Sequence, residues 1–348
     1  MDVFEELKRI IAPFDSAQID NALADRPSMF DVDARWYSNH EGPPKTTSDR
    51  GPFHGDALLA GMQAVCLLGT YLPAGDPRRL GVPRLHAKIL ARLANPELLL
   101  FGGSRETKIE GKTYVAPGYQ SNPSQHGVDN GAIVVAHGYV YFRPARITPE
   151  DTENLARVRD AAELHYPMQT FPWSGLYHVW QAALSPGVAA LVARAADTPV
   201  QAGGSELDPR LSVPELVNVV AAHHKLDRDA ATLYLQLLTL VDCGDAPTRE
   251  LDDWTQTRHK KAAGALVAAG LVREQKNPRA NRKFVLDGPW ETLFPPHPAV
   301  EAWKLPLYEA RMVNGALAAP LGRLLPLRPV HELFAAAWQR SLEARPGA

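Results

Sequence analysis

Hydrophobic and polar positions along the chain change period in blocks, and the blocks set the elements. MDVFEELKRIIAPFD opens as an amphipathic helix, and SNHEGPPKTTSDRGP after it is a polar Pro/Gly stretch that reads as loop. HGDALLAGMQAVCLLGTYL and PRLHAKILARLANPELLL read as two or three helices separated by AGDPRRLGVP. Residues 101–145 differ: GKTYVAPGYQ and GAIVVAHGYVYFRP are rich in Val, Ile and Tyr, and Asp129-Asn130-Gly131 supplies a turn, which predicts strands. Helices return at TPEDTENLARVRDAAELHY, with Thr148 and Asp151 as a capping-box-like start. They continue through YHVWQAALSPGVAALVARAA, which Pro186 must break or kink. Residues 197–210, DTPVQAGGSELDPR, lack periodicity and are the linker candidate.

Beyond residue 210 the pattern sharpens. Ser212-Val-Pro-Glu215 predicts a capping box opening a helix that runs to about His224. Asp227 is placed to cap DRDAATLYLQLLTLV, whose Ala231, Leu233, Leu235, Leu238 and Val241 permit a buried face. Pro247-Thr248 precedes a short helix, RELDDWT, with Leu251 and Trp254 on one face. Thr257 is the expected cap of RHKKAAGALVAAG, with Ala262, Ala263, Leu266 and Ala269 inward and Gly270 as the left-handed stop. Two short strand patterns follow, Leu271–Glu274 and Arg282–Leu286, around the tip KNPRAN. In PVHELFAAAWQRSLEA, residues Val330, Leu333, Phe334, Ala337 and Trp338 fall on one helical stripe. Such a stripe is core or a docking face for a partner or a second copy.

The elements predict an α+β, predominantly helical protein. Residues 1–200 form an N-terminal α/β-containing region, 211–290 a winged-helix domain and 291–348 a helical tail. With 45% apolar and 22% charged residues in 348, the chain can bury a sizeable core. Its 30 prolines predict many loops and short helices. Two cysteines, Cys66 and Cys243, cannot build a disulfide framework. The charge-free runs Ala57–Gly75 and Leu164–Ala193 are interrupted by Gly, Pro, Gln or His, so both read as core rather than membrane spans. The N-terminus lacks a signal-peptide pattern, and the expected compartment is the cytoplasm.

TRELDDWTQTRHKKAAGALVAAGLVREQKNPRANRKFVLDG resembles the winged helix-turn-helix of bacterial regulators, over about residues 228–287. The order is helix, short helix, turn, helix, β-hairpin; "GLV" follows the second helix of the motif, and Thr255-Gln256 stands at the bend. The resemblance implies duplex DNA as partner. By it, Thr257, Arg258, His259, Lys260 and Lys261 face the major groove. Arg273 adds to the same basic surface, and Lys276, Arg279, Arg282 and Lys283 lie along the backbone or minor groove.

Charge supports this independently. The whole chain is nearly balanced at -2, yet residues 258–283 hold eight Lys or Arg against the single acid Glu274. Concentrating cations on a negative body is the footprint of a polyanion-binding face. The same cluster on a solvated surface, or on a winged helix that docks proteins, is the competing reading. Glu250, Asp252 and Asp253 beside it repel phosphate.

Chemistry elsewhere is sparse. Gly111-Lys112-Thr113 matches the end of a P-loop, but Glu106 stands where its first glycine belongs. No dinucleotide, hydrolase-elbow or zincin motif occurs, and the 12 histidines lack metal-ligand spacing. No catalytic, metal or cofactor residue is therefore assigned. An enzyme reading rests on His126, Asp129, His137, Tyr139 and Arg143 within 101–180, where a histidine could pair with an acid. The plainer reading is a DNG turn and a strand. His54 and Asp56 suit a helix cap, and adjacent His223 and His224 suit a helix end.

Overall fold

The computed structural model describes residues 56–96, 98–104, 106–109, 112–115, 128–129, 131–136, 139–153, 155–156, 175–277, 281–292, 299–313 and 315–343. The predicted N-terminal helix and the loop after it lie outside these residues, as do His54, His126, His137 and Arg279.

The described residues are mostly helical with small antiparallel strand pairs. Helix α1 (Asp56–Tyr71) is followed by the short α2 (Pro77–Leu80) and by α3 (Val82–Leu93). Asp76 caps α2 through Arg78 N–H at 2.8 Å, with proline in the first helical position. Strands β1 (Leu100–Ser104), β2 (Glu106–Ile109), β3 (Lys112–Val115), β4 (Val128–Asp129), β5 (Ile133–Ala136) and β6 (Tyr139–Phe142) come next. β1, β6, β5 and β4 make one sheet in that order, and β2 pairs with β3. Lys112 and Thr113 thus begin a hairpin strand, not a phosphate loop. Gly131, at φ 93°, takes the left-handed conformation the DNG turn demands.

A helix beginning at 149 carries the expected reciprocal cap. Thr148 N–H donates to Asp151 at 3.0 Å, and Asp151 N–H to Thr148 Oγ1 at 3.2 Å. Pro186 divides α4 (Gly175–Leu184) from α5 (Pro186–Ala196), and Ser185 Oγ caps α5 through Val188 N–H at 3.1 Å. α1, α3, α4 and α5 pack on one another around α1, which is buried on nearly all sides, and share a core with Leu100, Ile133, Tyr141 and Phe142 of the sheet, the Phe142 ring tilted on Trp180 at 5.4 Å.

Residues 197–210 are not a free linker. Ala74 exchanges two backbone bonds with this stretch, its N–H donating to the Gly204 carbonyl and its carbonyl accepting Gly203 N–H, each at 2.8 Å. Glu206 is buried and receives Arg79 at 3.1 Å, Arg194 at 2.9 Å and Thr198. Burial pushes its carboxyl up, and Arg194, Thr198 and Arg79 outweigh that and hold it below the usual carboxylate range. A polar composition reads as loop, but these acids have distant arginines to meet.

The second half begins with α6 (Pro209–Ser212), a separate short helix for which Asp208-Pro209 supplies both the cap and the first-turn proline. The helix expected after Ser212 is α7 (Pro214–His224), which ends at His224 as expected, but Val213 stands at its cap position and it has no side-chain cap bond. His223 and His224 end it and both stand edge-on to Trp338, at 5.2 and 5.6 Å. Asp227 caps α8 (Arg228–Thr239) through Ala230 N–H at 2.8 Å. Every side chain from Ala230 to Thr239 is buried, so α8 is the axis of a second core.

Around it pack α9 (Asp245–Asp252), α10 (Gln256–Ala268) and a hairpin of β7 (Arg273–Asn277) and β8 (Arg282–Val285). α9 begins at Asp245, before the expected start; its first turn accepts Pro247 because no intrahelical N–H is needed there. The hairpin is closed on this corner by Asp245 N–H donating to Asn281 at 3.1 Å. Next come β9 (Trp290–Glu291), β10 (Val300–Glu301), a 3₁₀ segment over Ala302–Tyr308, β11 (Arg311–Val313) and β12 (Ala316–Ala318). α11 (Val330–Glu343) closes the order. Its stripe of Val330, Leu333, Phe334, Ala337 and Trp338 is buried in the second core, so that face is packed within the chain. Leu321, Leu325 and Leu327 instead belong to the first core, and Gln63 Nε2 donates to Leu321 at 2.9 Å. No helix among the described residues is long and apolar enough to cross a membrane.

Candidate nucleic-acid interface

α10 forms where the sequence places it, but its cap is Thr255, whose Oγ1 accepts Arg258 N–H at 3.2 Å. Thr257 is instead inside the first turn and exposed. Asp253 ends α9 in the left-handed region at φ 54°, and Trp254 crosses the gap as a buried residue. Ala262, Ala263 and Leu266 point into the core, while Ala269 is exposed. Gly270, at φ 68°, stops the helix as expected, with Leu271 N–H on Leu266 at 3.0 Å.

The basic residues divide into three groups. Lys260 and Lys283 are exposed on α10 and β8, with no ion pair among the described residues; Lys261 is 80% exposed, with Asp227 at 3.8 Å. Arg258 and Arg273 are about half exposed and held by the chain's own acids, Asp229 at 2.6 Å and Asp287 at 3.0 Å. Arg258 also lies over the Trp254 ring at 5.1 Å. Lys276 lies on β7.

Two expected contact residues face inward. His259 is 5% exposed, between the rings of Trp254 and Phe284 at 6.4 Å each, and burial lowers its pKa from the ordinary value. Arg282 is only 3% exposed. Its guanidinium bonds to Glu301 and Cys243 and lies 4.8 Å from the Trp290 ring. Lys304, fully buried, completes the cluster with Glu301 at 3.1 Å, Leu240 carbonyl at 2.5 Å and Cys243 Sγ at 3.3 Å. Burial pushes the Glu301 carboxyl up, but Lys304 and Arg282 outweigh it and hold it low. Arg282 therefore cannot meet a phosphate in this conformation. It anchors the hairpin to the second core, where a charge without its partner costs several kcal/mol, about 3–5.

Acids frame the same surface. Asp227 and Asp229 open α8 beside α10, and Asp253 is exposed at the bend. Asp252, by contrast, is buried beneath the bend with Gln236 Nε2 at 2.9 Å. This cluster was invisible in the sequence: Asp208, Arg210, Gln236 and Asp252 come from three helices, with Asp208-Pro209 as the only local signal. Of the residues of the enzyme reading, His126 and His137 lie outside the described residues. Asp129 and Tyr139 lie on strands, and Arg143 is buried and donates to Gly131 carbonyl at 3.0 Å. Compared with known proteins, the chain matches no family model, no curated protein and no solved structure.

Proposed function

We propose that residues 228–287 act as a winged-helix module that binds nucleic acid, duplex DNA first, through backbone phosphates, in a regulatory role. The observation that carries this reading is the exposure of Lys260, Lys261 and Lys283 on α10 and the hairpin, with Arg258 and Arg273 half exposed beside them. Ion pairs this exposed are worth at most about 1 kcal/mol, so a phosphate can replace their carboxylates. Phosphate contacts position a protein and carry no base information, so the reading extends to affinity, not to a target sequence.

The test is anisotropy of a labelled duplex at about 50 and 200 mM salt. Five contacts give a log–log slope of about -4.5, and removing Lys260, Lys261 and Lys283 together brings it to about -2. Equal weak binding by both proteins overturns the reading. A second reading, a protein-docking module, is favoured by the framing acids Asp227, Asp229 and Asp253, which leave this face mixed in sign. It is distinguished by a duplex affinity that all three lysine replacements leave unchanged.

A further inference from the structure

Asp252 ends α9 at the corner where the chain turns into α10, and its side chain is 1% exposed. Three neighbouring helices supply the groups that face it. From α8, Gln236 Nε2 donates to Oδ1 at 2.9 Å. From α6, Arg210 gives NH2 to the Asp252 backbone carbonyl at 2.7 Å and stands 3.7 Å from Oδ1. That guanidinium is already engaged by Asp208, itself buried, with Nε at 3.0 Å and NH2 at 2.7 Å. From α10, Arg258 is turned to Asp229 on α8. Two buried carboxylates thus share one guanidinium, and it is committed to Asp208.

The remaining valences do not match. Asp252 Oδ2 and Gln236 Oε1 are both buried with no hydrogen-bond donor among the described residues. Ionised, Asp252 can only accept; protonated, it has an O–H to donate. An unpaired buried carboxylate oxygen is costly, and taking up a proton removes the cost.

We infer that Asp252 is a proton-binding site of the folded module, loaded on Oδ2, and that losing this proton loosens the α9–α10 corner. Burial first, and the charge of Asp208 second, push its carboxyl up to about 7, against the opposing Gln236, Arg210 and Arg258. The corner is tied to the basic surface through Trp254, which lies beneath both Arg210 at 5.5 Å and Arg258 at 5.1 Å. A second negative charge at this corner attracts Arg258, with which Asp252 interacts electrostatically, and draws it away from a phosphate. That last step rests on the nucleic-acid reading; the proton site does not.

The experiment is a carbon NMR titration of the full chain labelled at aspartate carboxyls, from about pH 5 to 9, on wild type and Asp252→Asn. The expected result is one carboxyl resonance, absent from the variant, moving with a midpoint near 7. The thermal midpoint of the wild type falls across that range and that of the variant does not, because asparagine keeps a neutral donor in place. A resonance already ionised at the acid end, or a variant less stable than wild type at the alkaline end, overturns the proposal. Should the variant not fold, the wild-type spectrum decides alone: an aspartate moving near 7 supports the site and its absence overturns it. Duplex affinity of the wild type falls several-fold across the same range, and that of the variant stays flat. A titrating Asp252 with flat wild-type affinity overturns the control of binding. No duplex binding at any pH overturns the nucleic-acid reading, and the resonance then judges the proton site.

Discussion

Arg258 closes a two-pronged pair on Asp229, Nε to Oδ2 at 2.6 Å and NH2 to Oδ1 at 2.7 Å, joining the first turn of α10 to that of α8. The pair is shorter than a neutral hydrogen bond and holds the Asp229 carboxyl below its ordinary range. It also turns the first arginine of α10 toward the protein. Replacing Asp229 by Asn releases it. Stability is expected to change by less than about 1 kcal/mol, since the pair is exposed. Duplex affinity rises at a salt slope that stays near about -4.5, because Arg258, one of the five contacts, no longer has to leave a carboxylate. An unchanged affinity means that Arg258 takes no part.

Neighbouring cations on β8 are expected to behave oppositely. Arg282→Met leaves Glu301 to Lys304 alone in the interior and costs about 3–5 kcal/mol by urea denaturation. Lys283→Ala is within about 0.5 kcal/mol of wild type in the same assay and lowers the salt slope by about 0.9. Equal stability losses at the two positions contradict the inward placement of Arg282.

Two helical glycines give another contrast. A Cβ on Gly187 meets the Leu327 carbonyl oxygen at 2.4 Å, a backbone atom that cannot swing away. Gly187→Ala is expected to cost about 1–3 kcal/mol by overpacking. A Cβ on Gly264, within α10, meets nothing within 4 Å. Gly264→Ala is expected to stabilise by about 0.5–1 kcal/mol, because alanine loses less backbone freedom on forming the helix. Thermal midpoints of the two variants, moving in opposite directions, check both.

His259 makes folding sensitive to mild acid. Burial depresses its folded pKa below the unfolded value, so the unfolded chain binds more protons as pH falls through about 6.5. Its share of stability is present above that pH and is lost below it. In an Asp252→Asn background, which removes the opposing titration of that carboxyl, His259→Leu is expected to flatten the stability profile between about pH 7 and 5. A profile equally steep with and without His259 assigns the acid sensitivity to other groups.

What the sequence made legible was local. Asp227 before an apolar helix, Pro186 between two helices and Gly270 after Leu266 each act within a few residues of their own position, and each stands where it is expected. The order of helices and hairpin across residues 228–285 was readable for the same reason. The inward turn of Arg282 was not. In Arg-Lys-Phe-Val, alternation says only that neighbours face opposite ways; Glu301, Lys304 and Cys243 decide which face is buried, and all lie far along the chain. Residues 197–210 misled for a related reason, because Glu206 is polar by composition but meets Arg79 and Arg194 inside. Thr257 lost its capping role to Thr255, an acceptable cap two residues upstream, and Ser212 instead ends α6, where its hydroxyl donates to the Asp208 carbonyl.

The leucines at 321, 325 and 327 join the core built by α1, α3, α4 and α5, although most of the body around α8 intervenes in the chain. During synthesis, residues 56–195 therefore leave the ribosome with an apolar seam still open. That seam stays open until the 321–327 segment has been translated and can reach back to it. A nascent chain stalled before that point presents a ready target for chaperones, which the finished fold conceals.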